Sequence, residues 1–343
     1  MATIRKRGEY QWQAQVRRLG YPPQSKTLPS KTEAEAWARL VESEMDRGVF
    51  VSRAEAETTT LYQALDRYAK EVTPRKKGAL QELRRIEVWK KHSLALRPLA
   101  AIRGSDLAKF RDTRRKEGVA DATIRLDLML ISALFKTART DWGMAGLTSP
   151  TQDMSLPSQS RARERRLQPD EETYLVKGLL EVAPLSPTLP ALIGVALETG
   201  MRQGELLRLT PADVSLTRRV AHLDDTKSGD PRDVPLSSKA TRVLAPLMAS
   251  NERLFNISQD RLIRAFAQAC TKGREIWTQD HNQEAPAGFL EGLKFHDLRH
   301  EAASRLAGKL EAQELAKMFG WRTMQMALRY YHPRAEDLAK KLG

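Results

Sequence analysis

The stretch His296-Asp297-Leu298-Arg299-His300 decides how the rest of this sequence is read. Leu298, Ala302 and Leu306 recur at helical spacing, so Phe295 to Leu306 is expected to be a helix with one apolar stripe. On that helix His296, Arg299 and His300 fall at i, i+3 and i+4 and share a face. Two imidazoles and a guanidinium make a poor core face and a good anion site. The guanidinium matches phosphate bidentately, and the imidazoles can donate to the remaining oxygens.

Working outward, Glu198-Thr199-Gly200-Met201-Arg202-Gln203-Gly204-Glu205-Leu206 follows an apolar helix at 189–197. Gly200 reads as its stop, which puts Arg202 on a turn between two helices. The stretch from Thr226 to Leu236 reads as a hairpin with Lys227 at its tip. Downstream come Trp321 and then Arg329-Tyr330-Tyr331. This ordered set (Arg, hairpin Lys, His-x-x-Arg, Trp, Tyr) resembles the tyrosine recombinases, also called phage integrases. The resemblance covers about Arg165 to Gly343. The Arg-Tyr-Tyr-His-Pro ending is also similar to shufflon-type DNA invertases.

The resemblance implies a chemistry. A phenol attacks a phosphodiester, a DNA alcohol leaves, and a 3′-phosphotyrosyl link forms. Arg202 and Arg299 would clamp the non-bridging oxygens as charge develops. His296 would hydrogen-bond an oxygen or help deprotonate the nucleophile. Lys227 would be the general acid to the departing 5′ oxygen. Trp321 would donate its indole N–H where the family more often has His. Glu205 and His300 would support these groups. Tyr330 would be the nucleophile, because the family places it nine residues after the Trp321 position. Tyr331 is its neighbour, about 100° away on a helix, so only one of the two can face the phosphate. Ala327 and Leu328 suggest a buried side for the other. The link stores the bond energy, so no cofactor and no metal is expected. The implied partners are double-stranded DNA, a homotetramer on paired sites, and a DNA-bending protein as a candidate accessory.

Composition agrees with a nucleic-acid partner. The chain has 57 Lys+Arg against 43 Asp+Glu, a net charge of +14 and a pI near 9.9. That field favours polyanions, because neutralised phosphates release condensed counterions. Aromatics are only 6%, so base stacking is not expected to be the main binding mode. One cysteine, Cys270, excludes an internal disulfide. No apolar run approaches the ~18 residues of a membrane helix. A soluble, cytoplasmic, nucleoid-associated protein of bacterial or phage origin is the expectation, with no membrane partner.

The fold class expected is mainly α with small β elements (α+β). Residues 1–52 read as a three-stranded sheet plus one helix, similar to the arm-type DNA-binding domains of integrases. Tyr10, Trp12, Ala14 and Val16 alternate with polar residues as in a half-buried strand. A capping box from Thr32 opens the helix, with Trp37, Leu40, Val41 and Met45 on one face. Arg5, Lys6 and Arg7 are its candidate DNA contacts. Residues 50–59 read as a connection. Residues 58–143 are expected to be a helical core-binding domain, with helices near 60–71, 79–91, 105–117 and 121–140. Leu126, Leu130, Ala133 and Leu134 would form the apolar face of the last. Arg75, Lys76 and Lys77 are its candidate DNA contacts. Residues 144–164, rich in Gly, Ser, Thr and Pro, read as a linker ending in a basic strap. Arg161, Arg163, Arg165 and Arg166 of that strap would follow phosphates. A mixed, mostly helical catalytic domain fills 165–343. A last helix is expected over Arg334 to Leu342. Two other readings stay open: a non-catalytic DNA-binding protein on the same fold, and a type IB topoisomerase acting as a monomer.

Overall fold

A computed structural model describes residues 2–48, 54–159, 163, 165–183, 186, 188–224, 230–249 and 252–331. The chain divides into two compact units, residues 1–161 and 162–343. The elements are mostly helical with two small antiparallel sheets, a mainly α, α+β fold. No helix among the described residues is long and apolar enough to cross a membrane.

The first unit holds two separate cores. Near the N-terminus, β1 (Thr3–Gly8), β2 (Gln11–Val16) and β3 (Gln24–Leu28) pair in that order, followed by α1 (Lys31–Asp46). Alternation along β2 turns Ala14 and Val16 inward, where they meet Ala34, Ala38, Val41 and Met45 of α1. Ser30, not Thr32, caps α1: its hydroxyl accepts from the Glu33 N–H. The buried stripe is correspondingly different from the expected one. Leu40 is 56% exposed because the stripe runs through 34, 38, 41 and 45.

The second core of this unit is built by α2 (Ala54–Thr58), α3 (Leu61–Glu71), α4 (Ala79–Lys90), α5 (Gly104–Lys116) and α6 (Asp121–Thr140). A reciprocal Thr60–Gln63 capping box starts α3. Trp89 stacks on Phe110 and donates its indole N–H to the Asp127 carbonyl, joining α4, α5 and α6. Ile124, Leu128, Ile131, Leu134 and Phe135 form the inner face of α6, while the expected Leu126 points outward. Both expected connections also pack on this core. Residues 50–59 include α2, whose Ala56 is buried in this core. The segment from 144 contributes buried Met144 and Leu147, and Met154 and Leu156 pack against the same core. Arg111 and Arg125 donate to the Ser155 and Pro157 carbonyls and hold it down. Apolar side chains within a Gly/Pro-rich stretch favoured burial over free linkage.

The second unit has one continuous core. Its elements are α7 (Glu171–Val182), α8 (Thr188–Thr199), α9 (Gln203–Leu206), β4 (Val214–Ser215), β5 (Val220–Leu223), β6 (Arg232–Pro235), α10 (Ser238–Leu244), α11 (Gln259–His281), α12 (Asp297–Ala307), α13 (Ala312–Phe319) and α14 (Met324–Leu328). Helices α7 and α11 meet backbone to backbone. A Cβ on Gly178 would lie 2.2 Å from the Ala269 carbonyl oxygen, and one on Gly273 2.3 Å from that of Tyr174. The antiparallel β5–β6 pair runs from Leu223↔Arg232 to Val220↔Pro235. Its connecting residues 225–229, Lys227 among them, lie outside the described residues, as does the expected helix over Arg334 to Leu342. Leu298, Ala302 and Ala303 bury one side of α12, which fixes the direction of the opposite side.

Candidate active site

Four segments bring the site together: the turn before α9, the α12 face, the turn after α13, and the residues after α14. Arg202 is the N-cap of α9. Its side chain donates to Glu205 Oε1 at 2.9 Å, and its backbone N–H donates to Glu205 Oε2 at 2.8 Å. Glu205 is 3% exposed overall, and two cations reach it. Burial pushes its pKa up, but hydrogen bonds from Arg232 and Arg202 outweigh this and hold it at about 2.

Arg299 is buried among carbonyls and rings. It donates to the Gly200 and Phe319 carbonyl oxygens and lies over the Phe319 ring at 4.7 Å and the Trp321 ring at 5.8 Å. Burial, then the neighbouring Arg202, pushes its pKa down to about 9, so it stays a cation at neutral pH.

His296 sits at the N-cap of α12, and His300 lies one turn on, their rings 5.4 Å apart and edge to face. Burial lowers both pKa values, and the neighbouring cations push His296 further in the same direction. Tyr330 reaches His300: its hydroxyl lies 2.6 Å from Nδ1. Burial raises the phenol pKa, against Arg329 and Arg299, which favours the protonated hydroxyl. With the neutral ring protonated on Nε2 the hydroxyl donates to Nδ1, and with it protonated on Nδ1 the ring donates to the phenol oxygen. Trp321 lies parallel to Tyr330, with centroids 5.5 Å apart and planes 4° apart.

The two tyrosines are not on a shared helix, as the sequence suggested. Helix α14 ends at Leu328, and both follow in a turn whose N–H groups bond to Ala327 and Leu328. The Tyr331 hydroxyl donates to the Leu310 carbonyl, away from His300.

The other expected contacts fall differently. Arg5, Lys6 and Arg7 are exposed on β1, and Arg7 Nε donates to Gln13. Arg75 and Lys77 are exposed, whereas Lys76 Nζ is taken by Glu82 and Tyr68, each at 2.7 Å. Arg161 lies outside the described residues. Arg163, Arg165 and Arg166, expected to follow phosphates, pair with the buried carboxylates of Asp297, Glu171 and Glu301. A carboxylate buried without such partners would be costly, and these guanidiniums offset that cost while Arg163 and Arg166 stay about half exposed. Asp297 and Glu301 flank the site on α12, so the strap anchors the helix that carries His296 and Arg299. Sequence reasoning also missed Arg232, whose only signal was its place in the hairpin motif. It donates to both Glu205 oxygens, at 3.0 and 2.7 Å.

The phage integrase family matches residues 165–337 of this chain. The shufflon-specific DNA recombinase of Escherichia coli is 37% identical over 293 residues, covering 82% of this chain and 71% of that protein. This chain belongs to the phage integrase family. Solved structures share its fold at low identity. The Tn1549 transposon integrase in complex with a circular intermediate DNA superposes with a TM-score of 0.65 at 17% identity, over 83% of this chain and 99% of that one. A lambda integrase tetramer bound to a Holliday junction gives 0.59 at 19%, over 93% and 95%. As a family member, the chain has tyrosine recombinases as its relatives and fold neighbours.

Proposed function

We propose that this protein is a site-specific DNA recombinase that cleaves and rejoins duplex DNA through a 3′-phosphotyrosyl link on Tyr330. One observation carries the reading: the Tyr330 hydroxyl lies 2.6 Å from His300 Nδ1 in the pocket that Arg299 and Trp321 line. A phenol needs a proton acceptor as it attacks, and His300 Nδ1 is in place to take or hold that proton. Here His300 is the group nearest the nucleophile, while His296 is left to donate to a phosphate oxygen. Arg202 and Arg299 stabilise the equatorial oxygens. Lys227 protonates the leaving 5′ oxygen. The 5′ hydroxyl released from the partner duplex attacks the link and frees the tyrosine, so one phosphodiester replaces another and strand exchange needs no external energy source.

The partner is double-stranded DNA, and the assembly is a homotetramer on paired sites, supported by the lambda integrase tetramer on a Holliday junction. Inversion is the favoured outcome, supported by the shufflon-specific relative. The basic residues of β1 and the cations Arg75 and Lys77 supply contacts to the DNA backbone. The test uses nicked duplexes, from which the released 5′ fragment diffuses away and traps the intermediate. A denaturation-resistant protein–DNA adduct is expected. DNA that is bound but never covalently held would favour the non-catalytic reading.

Two outcomes follow from the assigned roles. Lys227→Ala should slow adduct formation about 10²–10⁴-fold, the range for general-acid catalysis. A substrate with sulfur at the 5′ bridging position leaves without that proton and should recover most of the rate. Equal slowness on both substrates would remove Lys227 from this role. The second outcome concerns pH. His300 accepts from Tyr330 only when neutral, and burial lowers its pKa from 6.5. The rate of adduct formation should therefore hold as pH falls to 6.5 and drop only below it. Initial rates across about pH 5–8 check this. An acid limb centred above 6.5 would contradict the assignment.

A further inference from the structure

We infer that Arg232 is a positioning residue for Arg202, acting through the carboxylate of Glu205; this rests on the reading of Arg202 as a phosphate clamp. The Arg232 side chain is only 7% exposed, so it is not itself a surface contact for DNA. Its fork meets Glu205 bidentately. Each Glu205 oxygen is shared: Oε1 accepts from Arg232 and the Arg202 guanidinium, and Oε2 accepts from Arg232 and the Arg202 backbone N–H. The carboxylate is a bridge with Arg232 at one end and Arg202 at the other. Lose the first cation, and a buried carboxylate keeps one partner where its position was set by two.

The same guanidinium reaches a second part of the site. Its Nε donates to the Met318 carbonyl at 3.0 Å, and the next carbonyl along, that of Phe319, accepts from Arg299 at 2.7 Å. Gly320 follows with φ of +62°, and a Cβ there would come within 3.1 Å of Arg232 Cδ. Arg232 thus ties β6, α9 and the end of α13 at the point where both clamp arginines take their fixed partners. A lysine keeps the charge but not the planar two-donor match.

A substrate lacking the clamp's target charge separates positioning from mere stability. A methyl group in place of one non-bridging oxygen removes the charge that Arg202 neutralises. The probe is the duplex recovered from trapped adducts, made with either a phosphodiester or a methylphosphonate at the cleaved position. Arg202→Ala should be slow on the first and recover on the second. Arg232→Ala should do the same, with a loss of roughly 10²-fold on the phosphodiester, as for a small misplacement of a reacting group. Arg232→Lys should show a smaller loss with the same recovery, and it decides the matter if the alanine variant does not fold. Wild-type rates in both Arg232 variants would overturn the inference. So would equal losses on both substrates while Arg202→Ala recovers. If Arg202→Ala itself fails to recover, the clamp reading falls and the inference falls with it.

Discussion

Tyr330→Phe should leave a folded protein that binds its DNA and forms no covalent adduct. The substitution removes one oxygen. The ring keeps its stacking on Trp321. The lost hydrogen bond to His300 costs on the order of 1 kcal/mol of stability, well below a typical folding free energy of about 5–15 kcal/mol. The chemistry has no such margin, because in the proposed mechanism the removed atom is the nucleophile. Losses on the order of 10⁶-fold accompany removal of a nucleophile in a comparable covalent mechanism. Tyr331→Phe is the control that gives the result its meaning. Its hydroxyl donates to the Leu310 carbonyl, so that variant should lose a little stability and keep adduct formation. Gel retardation measures binding, and denaturing gels measure the adduct.

Gly200→Ala should be among the most damaging single-methyl changes in the second unit. Gly200 closes α8 with φ of +61°, its N–H returning to the Ala196 carbonyl at 2.9 Å. A side chain in the left-handed region costs roughly 1–2 kcal/mol. The added Cβ would also sit 2.3 Å from the Phe319 ring, which is fully buried and cannot retreat into solvent. Overpacking of that kind adds about 1–3 kcal/mol. The Gly200 and Phe319 carbonyls are the two acceptors that hold Arg299. Any shift that relieves the clash therefore moves the clamp. The expected result is a fall of about 2–5 kcal/mol in unfolding free energy, the two costs combined, with cleavage reduced further in the molecules still folded. Chemical denaturation with adduct kinetics measures both. Unchanged stability would show that Phe319 has room the packing does not reveal.

Much of the fold was readable because its signals are local. The expected helices 60–71, 79–91, 105–117 and 121–140 lie within a residue of α3 to α6. Each has an apolar stripe and a recognisable start or stop. The i, i+3, i+4 spacing also brought His296, Arg299 and His300 to one face of a helix. What the sequence concealed depends on contacts between distant segments. The pairs Arg163–Asp297 and Arg166–Glu301 each span more than a hundred residues, so a run of arginines read as free charge. Arg232 sits in the same expected hairpin as Lys227, but its meaning comes from Glu205, 27 residues earlier. Residues from Met144 to Leu156 carry loop composition, yet their few apolar side chains found a core. Leu40 and Leu126 were misplaced because a stripe read one or two positions out of phase still looks apolar. Lys227, expected at a hairpin tip, lies outside the described residues.

The most direct measurement is to digest the trapped protein–DNA adduct and map the peptide that carries the nucleotide by mass spectrometry. The account predicts one modified peptide, with the nucleotide on the Tyr330 oxygen through a 3′-phosphate. A nucleotide found on Tyr331, or linked through a 5′-phosphate, would contradict it.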